Sequence, residues 1–404
     1  MKTITLSVLL STFCLLAASQ DVVEWRGPNR DGIYKETGLL RKWPEGGPKL
    51  LWHFEGLGDG HTSAVITEKA IYTSGMVNGK GNIYAFDHNG KLLWKKEYGT
   101  EWTENHYGVR STPLYVNGKL YFMSSFGQLF CMNADNGSTI WNVDLTKEYG
   151  ARNITWGLTE NLLHDGNVLY CTIGGTDVSM IALDMSTGKP VWKSKGNGEL
   201  SAYCSPIMVN TGGRKIIVTC MQNSIVGFDA KTGNQLWKSP FSMDPDVHPN
   251  IPYFRDGYLY CSSGYGLGSK MLKLSADGSS VSDVWKDETC DPKIGGTVVL
   301  NDRIYGMGDR YRKFFVLDWK TGKEVFSSRQ LAPGNIIAND GLLYVYSEAG
   351  TVNLVEPTDA GINILSSFKV PYGANPHWSH LVISNKKLYV RHGTSLMVYD
   401  VAAR

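Results

Sequence analysis

The chain has 404 residues, of which 42% are hydrophobic and 19% are charged, and its formal net charge is +2. This composition excludes a disordered chain, and the charge gives no electrostatic case for binding nucleic acid or an anionic membrane. The 45 glycines, 12 tryptophans and 21 tyrosines favour strands joined by tight turns over a helical bundle or a coiled coil.

Residues 1–19 are predicted to form a secretory signal peptide. Lys2 supplies the positive start, residues 6–18 are apolar, and small residues precede a cut after Ser19. The apolar stretch is too short to span a bilayer, and no later segment is long and apolar enough. A periplasmic or secreted protein without a transmembrane segment is therefore expected.

The cysteines give two further expectations. Cys14 follows Phe13, a poor residue before a lipidated cysteine, so a lipoprotein is not expected. The later cysteines lie mostly in apolar, strand-like runs, which indicates buried free thiols or an occasional bridge, and the sequence leaves any pairing open. No CxxC motif occurs, so a thiolate zinc site is not expected. These cysteines are Cys131, Cys171, Cys204, Cys220, Cys261 and Cys290.

A repeat with a period of about 45 residues runs through the rest of the chain. Each copy contains an apolar run, an Asp or a substitute, a turn with Gly, and a second strand with a large aromatic residue. A second hairpin with an NG, DG or ND centre precedes most copies, so each repeat predicts the four strands of a propeller blade. The copies end at Trp94, Trp141, Trp192, Trp237, Trp285, Phe326 and, in a degraded form, Phe368.

Eight hairpin pairs predict an all-β, eight-bladed β-propeller. The last blade, which begins near Trp378, stops after three strands, while the segment KLLW at 49–52 has no preceding strands. Residues 49–54 are therefore predicted to form the outer strand of that last blade, and the alternative is a seven-bladed ring with an independent N-terminal segment. The predicted organisation is a signal peptide (1–19), an N-terminal extension (20–47) and a propeller (48–404).

The repeat carries a family resemblance. Residues 182–192 match the pattern A-x-D-x-x-T-G-x-x-x-W at each position, and the copies ending at Trp237 and Phe326 match it in part. On these residues the chain resembles the pyrroloquinoline-quinone-like eight-bladed propeller family over roughly 48–401. The stretch WRGPNRDGI at 25–33 resembles the N-terminal stretch of secreted bacterial members. The repeated tryptophans are expected to pack between neighbouring blades.

The resemblance implies two contrasting functions besides simple ligand binding. Dehydrogenases of this family hold pyrroloquinoline quinone with a calcium ion on carboxylate and amide ligands, and use an aspartate as base. Alcohol-oxidising members also carry a disulfide between adjacent cysteines. No two cysteines are adjacent here and the chain is short, so a quinone-dependent sugar or alcohol oxidoreductase is an alternative that is not favoured. A second branch comprises non-catalytic outer-membrane assembly scaffolds, whose partners are envelope proteins.

A binding site is expected on one face of the propeller, at the mouth of the central channel. The loops that lead into the inner strands are crowded with His, Trp, Tyr, Asn, Glu and Arg, whereas the opposite face has mainly Asn, Gly, Lys and Thr. We expect a polar ligand there, such as a saccharide in polysaccharide catabolism, and the sequence leaves open whether the protein is catalytic. The candidate ligand-binding residues are His61, Trp102, Glu104, His106, Arg110, Arg152, Trp156, Asp246, His248, His377 and Trp378.

Four of these histidines recur in one register ahead of different inner strands. Two interpretations are open. In the first, each histidine caps a strand end or lines the channel. In the second, several of them bind a polar ligand, or a metal through neutral imidazole. His61, His106 and His377 lie on consecutive blades and form the trio that best suits a metal. The loops between second and third strands add Gln222, Asn223, Tyr265, Asp309, Arg310, Tyr311, Glu348 and His392.

Overall fold

The computed structural model describes residues 21 and 23–404, so the predicted signal peptide lies outside the described residues. The described part folds into 33 strands and one short helix, Leu145–Tyr149. No helix in this part of the chain is long and apolar enough to cross a membrane.

The strands form eight sheets, one per blade, in sequence order, which confirms the predicted eight-bladed propeller. The strands of each blade are given from the innermost outwards. Blade 1 has Val65–Ile66, Ile71–Val77, Lys80–Phe86 and Leu92–Thr100; blade 2 has Leu114–Val116, Lys119–Met123, Gln128–Asn133 and Thr139–Asp144. Blade 3 has Leu163–Asp165, Val168–Thr172, Met180–Asp184 and Pro190–Lys193; blade 4 has Ile207–Thr211, Arg214–Met221, Ser224–Asp229 and Gln235–Pro240. Blade 5 has Tyr253–Arg255, Tyr258–Ser263, Gly268–Leu274 and Val281–Asp287; blade 6 has Val298–Leu300, Arg303–Gly308, Lys313–Asp318 and Glu324–Ser328. Blade 7 has Gly334–Asn339, Leu342–Ser347, Thr351–Thr358 and Gly361–Lys369; blade 8 has Val382–Ser384, Lys387–His392, Ser395–Asp400 and Lys49–Glu55.

The ring is closed by the N-terminal strand, as predicted. Lys49–Glu55 pairs antiparallel with Ser395–Asp400 and forms the outer strand of blade 8. Both ends of the propeller are thereby held in one sheet, and blade 8 has no missing strand. We call the face with the loops that lead into the inner strands the funnel face, and the face with the Thr-Gly turns the turn face.

The repeat motif joins each blade to the next. In blade 3, Asp184 accepts hydrogen bonds from the backbone N–H and the hydroxyl of Thr187, both at 2.9 Å, which shapes the turn. Gly188 has φ 72°, and a Cβ atom there would lie 2.9 Å from the ring of Trp141 in blade 2. Trp141 also donates from its indole to the carbonyl of Met185. The expected packing between blades is confirmed, because indoles also donate to carbonyls in the turn of the following blade at Trp52, Trp94, Trp192, Trp237 and Trp285.

Blade 7 departs from this pattern and corrects the alignment of the seventh repeat. The strand pairing places Ser366, and not Phe368, opposite Leu354, which is the position of the tryptophan in other blades. Trp43 of the N-terminal extension fills the vacant place: it is 3% exposed, and its ring lies 6.0 Å from that of Tyr344. Other blades keep 5.9 to 6.1 Å between the equivalent rings.

Residues 23–34, which we call the plug, run inside the central channel. Ile33–Tyr34 pairs in parallel with the inner strand of blade 7. Arg26 donates to the carbonyl of Thr297 in the loop before blade 6 at 2.7 Å, and Arg30 donates to the carbonyls of Asn161 and Leu162 before blade 3 at 2.8 Å. Because these acceptors belong to blades three places apart in the ring, the plug reaches across the channel. The boundary proposed between extension and propeller at residues 47 and 48 stays a prediction.

Candidate functional site

The channel opens on the funnel face as a cavity of about 850 Å³, including its open mouth, which we call the funnel pocket. Seven of the eight blades contribute loops to its wall, and Trp25 of the plug also lines it, so the pocket ends on the plug. The lining residues are Trp25, His61, His106, Arg110, Trp156, Thr159, Asn161, Tyr203, Ser205, Val247, Pro249, Tyr265, Lys293, Ile294, Trp378 and His380.

The charged side chains of the funnel pocket are basic. Arg110 and Lys293 line it, and no Asp or Glu among the described residues does. Burial, reinforced by nearby arginines, lowers the pKa of His61 to about 3. Burial also lowers the pKa of His106, followed by the charges of Arg110 and Lys293. The pKa of His380 lies well below its usual range because of burial and the charge of Arg26. These imidazoles are therefore neutral near pH 7.

The proton of His380 can be placed on one nitrogen. Arg26 in the plug lies with Nη1 3.1 Å from Nδ1 of this ring. A guanidinium group only donates, so Nδ1 must be the acceptor and the neutral ring carries its hydrogen on Nε2. The carbonyl of Ile294 interacts with the ring and favours its protonated form, and because Arg26 holds Nδ1, it is the Nε2–H that lies towards this carbonyl, in a contact longer or more bent than a normal hydrogen bond.

Two further buried polar atoms at the pocket wall also have no partner in the described part of the chain. They are Nδ1 of His61 and Nε of Arg110. Arg110 uses Nη2 to donate to the carbonyl of Trp156. A buried polar atom without a partner costs about 1–3 kcal/mol, and these atoms lie behind the surface of the pocket wall, where they have almost no accessible area.

Aromatic rings form much of the remaining wall. The imidazole of His106 lies 5.1 Å from the ring of Trp156 and 5.3 Å from that of Trp378. The backbone N–H of Trp156 donates to the hydroxyl of Tyr203 at 3.1 Å. His106 and Tyr203 have φ of 59° and 67°, in the left-handed region that non-glycine residues seldom adopt.

The structure brings five of the predicted site residues together in the funnel pocket: His61, His106, Arg110, Trp156 and Trp378.

Three other predicted residues lie outside it. Trp102 is buried, donates from its indole to the carbonyl of Asn105 at 3.0 Å, and packs near Phe126. Glu104 and Arg152 are exposed on the funnel face and do not line the pocket. A loop position on this face is thus not sufficient to place a side chain in the pocket.

The remaining predicted residues have partners of their own. Asp246 accepts a hydrogen bond from Gln222 at 2.8 Å beside a smaller cavity. His248 is fully buried, and its ring nitrogens lie 3.0 Å from the Ser263 hydroxyl and 3.2 Å from the Gln222 carbonyl. Its role is to hold loops together.

His377 is also engaged away from the funnel pocket. Its ring stacks on that of His392 at 3.6 Å, and its Nδ1 lies 2.6 Å from the Tyr346 hydroxyl. The proposed trio of His61, His106 and His377 therefore does not converge. In the described part of the chain no three His, Cys, Asp or Glu side chains are grouped as metal ligands.

Sequence reasoning did not name ten of the residues that line the pocket, and four of these have aromatic or basic side chains: Trp25, Tyr203, Lys293 and His380. The last three lie in loops that the sequence did single out. His380 could have been found from the repeat, because blades 1 to 4 carry a small polar residue two places before the inner strand, whereas blade 8 has a histidine there. Trp25 gave no such signal, since its position depends on the fold of the plug.

The funnel pocket does not fit the calcium and quinone centre implied for dehydrogenases. Calcium takes oxygen ligands, largely carboxylates, and the lining offers the amide of Asn161 together with the cations Arg110 and Lys293. All six cysteines of the described residues are free and buried, and none of them lines the pocket. We therefore derive no oxidation step from this site.

Sequence comparison finds relatives of two kinds. A family model described as "Outer membrane protein assembly factor BamB" matches residues 79–273. The quinoprotein alcohol dehydrogenase PedH of Pseudomonas putida is 23% identical over 298 residues, or 70% of this chain and 45% of PedH, so the chain spans less than half of that relative. The outer membrane protein assembly factor BamB of Burkholderia pseudomallei is 24% identical over 66% of this chain and 68% of its own length.

Solved structures show the same fold. BamB from Moraxella catarrhalis superposes with a TM-score of 0.63 at 14% identity, over 87% of this chain and 97% of that one. Quinohemoprotein alcohol dehydrogenase from Comamonas testosteroni gives a TM-score of 0.68 at 10% identity, over 95% and 81%. At these identities the likeness concerns the propeller alone.

Proposed function

We propose, from the premise that this chain is an eight-bladed propeller of the pyrroloquinoline-quinone-like repeat family, that it binds a small polar molecule in the funnel pocket without oxidising it. The observation that carries this proposal is the cavity of about 850 Å³ at the mouth of the channel, which is lined by the cations Arg110 and Lys293 and by the indoles of Trp156 and Trp378. Binding sites in propellers lie at the mouth of the channel, where loops are held by a rigid scaffold.

We place this function in the cell envelope. The predicted signal peptide supports export, and the outer membrane in the names of the BamB relatives agrees with it. A saccharide is the ligand that the sequence suggested, and the indoles of Trp156 and Trp378 offer faces on which a sugar ring can stack.

A second candidate is a non-catalytic scaffold that recruits envelope proteins. It is favoured by the superposition with BamB, which covers 97% of that chain. Three large side chains of the funnel face, Tyr107, Phe126 and Tyr311, are 39 to 42% exposed and would suit a protein partner. A scaffold of this kind needs no occupant in the funnel pocket.

Thermal shift on the purified protein tests the first proposal. The probes are naphthalene-2,6-dicarboxylate, the corresponding neutral dicarboxamide, cellobiose, and pyrroloquinoline quinone with and without calcium. We expect at least one probe to raise the melting temperature, because a ligand that binds only the folded state stabilises it.

Two variants locate the binding site. Trp378→Ala removes a wall of the funnel pocket and should abolish the shift, whereas Arg152→Ala changes an exposed residue of the same face and should preserve it. A panel without any shift, or a shift that survives Trp378→Ala, contradicts binding in the funnel and leaves the scaffold as the better candidate.

A further inference from the structure

His392 lies at the end of the second strand of blade 8, and both nitrogens of its ring face backbone carbonyl groups. Nδ1 lies 2.7 Å from the carbonyl oxygen of Tyr372, and Nε2 lies 2.6 Å from that of Asn375. A backbone carbonyl oxygen can only accept a hydrogen bond, and a neutral imidazole has a single N–H to donate. Both contacts are therefore hydrogen bonds only when His392 carries a proton on each nitrogen.

His377, in the same loop as Tyr372 and Asn375, stacks on the ring of His392. The two ring centres are 3.6 Å apart and the planes differ by 14°. Burial, followed by the charges of His392 and Lys369, lowers the pKa of His377 to about 4. A neutral ring of His377 can lie against a cationic ring of His392, whereas two cationic rings at this distance repel each other.

The loop that His392 holds connects three blades at the mouth of the funnel pocket. The side-chain amide of Asn375 donates to the carboxylate of Asp59 at 2.7 Å, and its oxygen accepts from the hydroxyl of Tyr107 at 3.0 Å. Asp59 and Tyr107 belong to the loops before the inner strands of blades 1 and 2. Trp378, three residues after Asn375, lines the funnel pocket. The hydrogen bonds of His392 thus position part of the pocket wall.

The other charged and titratable groups around the two rings do not replace these protons. Among the described residues, no carboxylate oxygen lies within salt-bridge distance of either ring. Asp59 is linked to His392 only through Asn375. The remaining groups are neutral or cationic, so only the two carbonyl groups favour the second proton of His392. They are Tyr346, Tyr372, His53, His61, Lys369 and Arg391.

We infer that His392 and His377 form a proton-operated clasp on the wall of the funnel pocket. Residues 372–378 are held while His392 carries two ring protons and His377 carries one. When His392 gives one proton to water, the bare nitrogen presents a lone pair to a carbonyl oxygen and that contact is lost. When His377 takes up a second proton, the two rings repel each other. The clasp needs no ligand, so it goes beyond binding in the funnel pocket and is tested apart from it.

Nitrogen-15 spectra of the purified protein, labelled at histidine, test the protonation of the two rings. At about pH 7 we expect both nitrogens of His392 to be protonated and His377 to have one unprotonated nitrogen. His392→Phe keeps a flat ring without N–H groups and identifies the signals by their loss. An unprotonated nitrogen in His392 at this pH overturns the clasp.

Proton exchange with solvent measures the release of the loop at higher pH. The groups to follow by NMR are the side-chain amide of Asn375 and the indole N–H of Trp378, which donates to Glu348 at 3.0 Å. After correction for the intrinsic effect of pH, their exchange should become about tenfold faster between about pH 6 and about pH 9, when His392 loses its second proton.

Two variants assign this step to His392. His392→Phe should exchange fast at every pH and show no step, whereas His88→Phe, in a turn on the turn face, should keep the step of the parent protein. A parent protein without the step, or a step that persists in His392→Phe, overturns the clasp.

His377→Phe tests the acid limit. In the parent protein we expect the same two groups to exchange faster again as the pH falls through about 4, where His377 gains its second proton. His377→Phe keeps a flat ring on His392 that cannot be protonated, so it should remain clasped at that pH. Release of His377→Phe at the same pH as the parent protein contradicts the role of the stacked pair.

Discussion

Glu160 lies buried just before the inner strand of blade 3, where both carboxylate oxygens face the backbone N–H of Thr172 at 2.9 and 3.2 Å. Burial raises the pKa of Glu160 to about 7, from the usual value of 4.5. In the unfolded chain this group loses its proton at lower pH than in the folded protein. Its contribution to stability is therefore complete below about pH 4.5 and is lost as the pH rises to about 7.

Because of Glu160, we expect the free energy of unfolding to decrease by roughly 3 kcal/mol as the pH rises from about 4.5 to about 7. Urea unfolding between pH 4.5 and 8 measures it. Glu160→Gln should remove this part of the pH dependence, whereas Glu104→Gln, at an exposed position, should keep it. A parent-like pH dependence in Glu160→Gln would assign the effect to another group.

Some predicted residues, such as His106 and Arg110, line the funnel pocket because their loops lead into inner strands. Register alone could not decide where His248 and His377 point. Both occupy similar places in the repeat, but their ring nitrogens form hydrogen bonds with the hydroxyls of Ser263 and Tyr346, which lie in strands of blades 5 and 7. The position of Trp25 could not be predicted from the repeat for another reason. It lies in the pocket because the plug pairs with blade 7, more than 300 residues further along the chain.

At the scale of the strand, the Trp and Gly positions of the repeat form a contact between neighbouring blades and not a contact within one blade. In all eight outer strands the pairing skips one aliphatic residue, a β-bulge that immediately precedes the tryptophan, its phenylalanine substitute in blade 6, or Ser366 in blade 7. The tryptophan then packs on the Gly of the following turn. Blade 7 has lost its tryptophan, and the sequence alignment could not show that Trp43 replaces it from outside the repeat.

Two glycines with the same backbone angle test this contact. Gly233 and Gly213 both have φ 75°, but a Cβ at Gly233 would lie 2.4 Å from the ring of Trp192, whereas one at Gly213 meets nothing within 4 Å. Both alanine substitutions carry the strain of a left-handed residue, about 1–2 kcal/mol. Gly233→Ala should cost roughly 1–3 kcal/mol more, because the ring must move.

Chemical denaturation of both variants gives the difference directly. Gly213→Ala is the matched control for the backbone angle. Equal losses of stability in the two variants would mean that the glycine is needed for its backbone conformation and that packing against Trp192 adds nothing.

At the scale of the whole molecule, residues 23–55 have three separate structural roles. The plug forms the end of the funnel pocket, Trp43 packs between blades 7 and 8, and Lys49–Glu55 closes the ring. The repeat predicted the last of these, because an incomplete blade at one end and an isolated strand at the other complement each other. The first two roles belong to residues outside the repeat, so the periodicity of the sequence does not predict them.

Two truncations separate these roles. A chain that starts at residue 36 loses the plug but keeps Trp43 and the closing strand, and it should remain a folded monomer whose funnel pocket no longer has Trp25 or Arg26. Its affinity for any ligand of the pocket should fall, since His380 loses the partner that fixes its tautomer.

A chain that starts at residue 56 also loses Trp43 and Lys49–Glu55, which leaves the third strand of blade 8 as an unpaired edge. We expect this second chain to aggregate or to melt at a much lower temperature, as measured by size-exclusion chromatography and thermal unfolding beside the chain that starts at residue 20. A stable monomer that starts at residue 56 would contradict closure by the N-terminal strand, and undiminished binding by the chain that starts at residue 36 would remove the plug from the site.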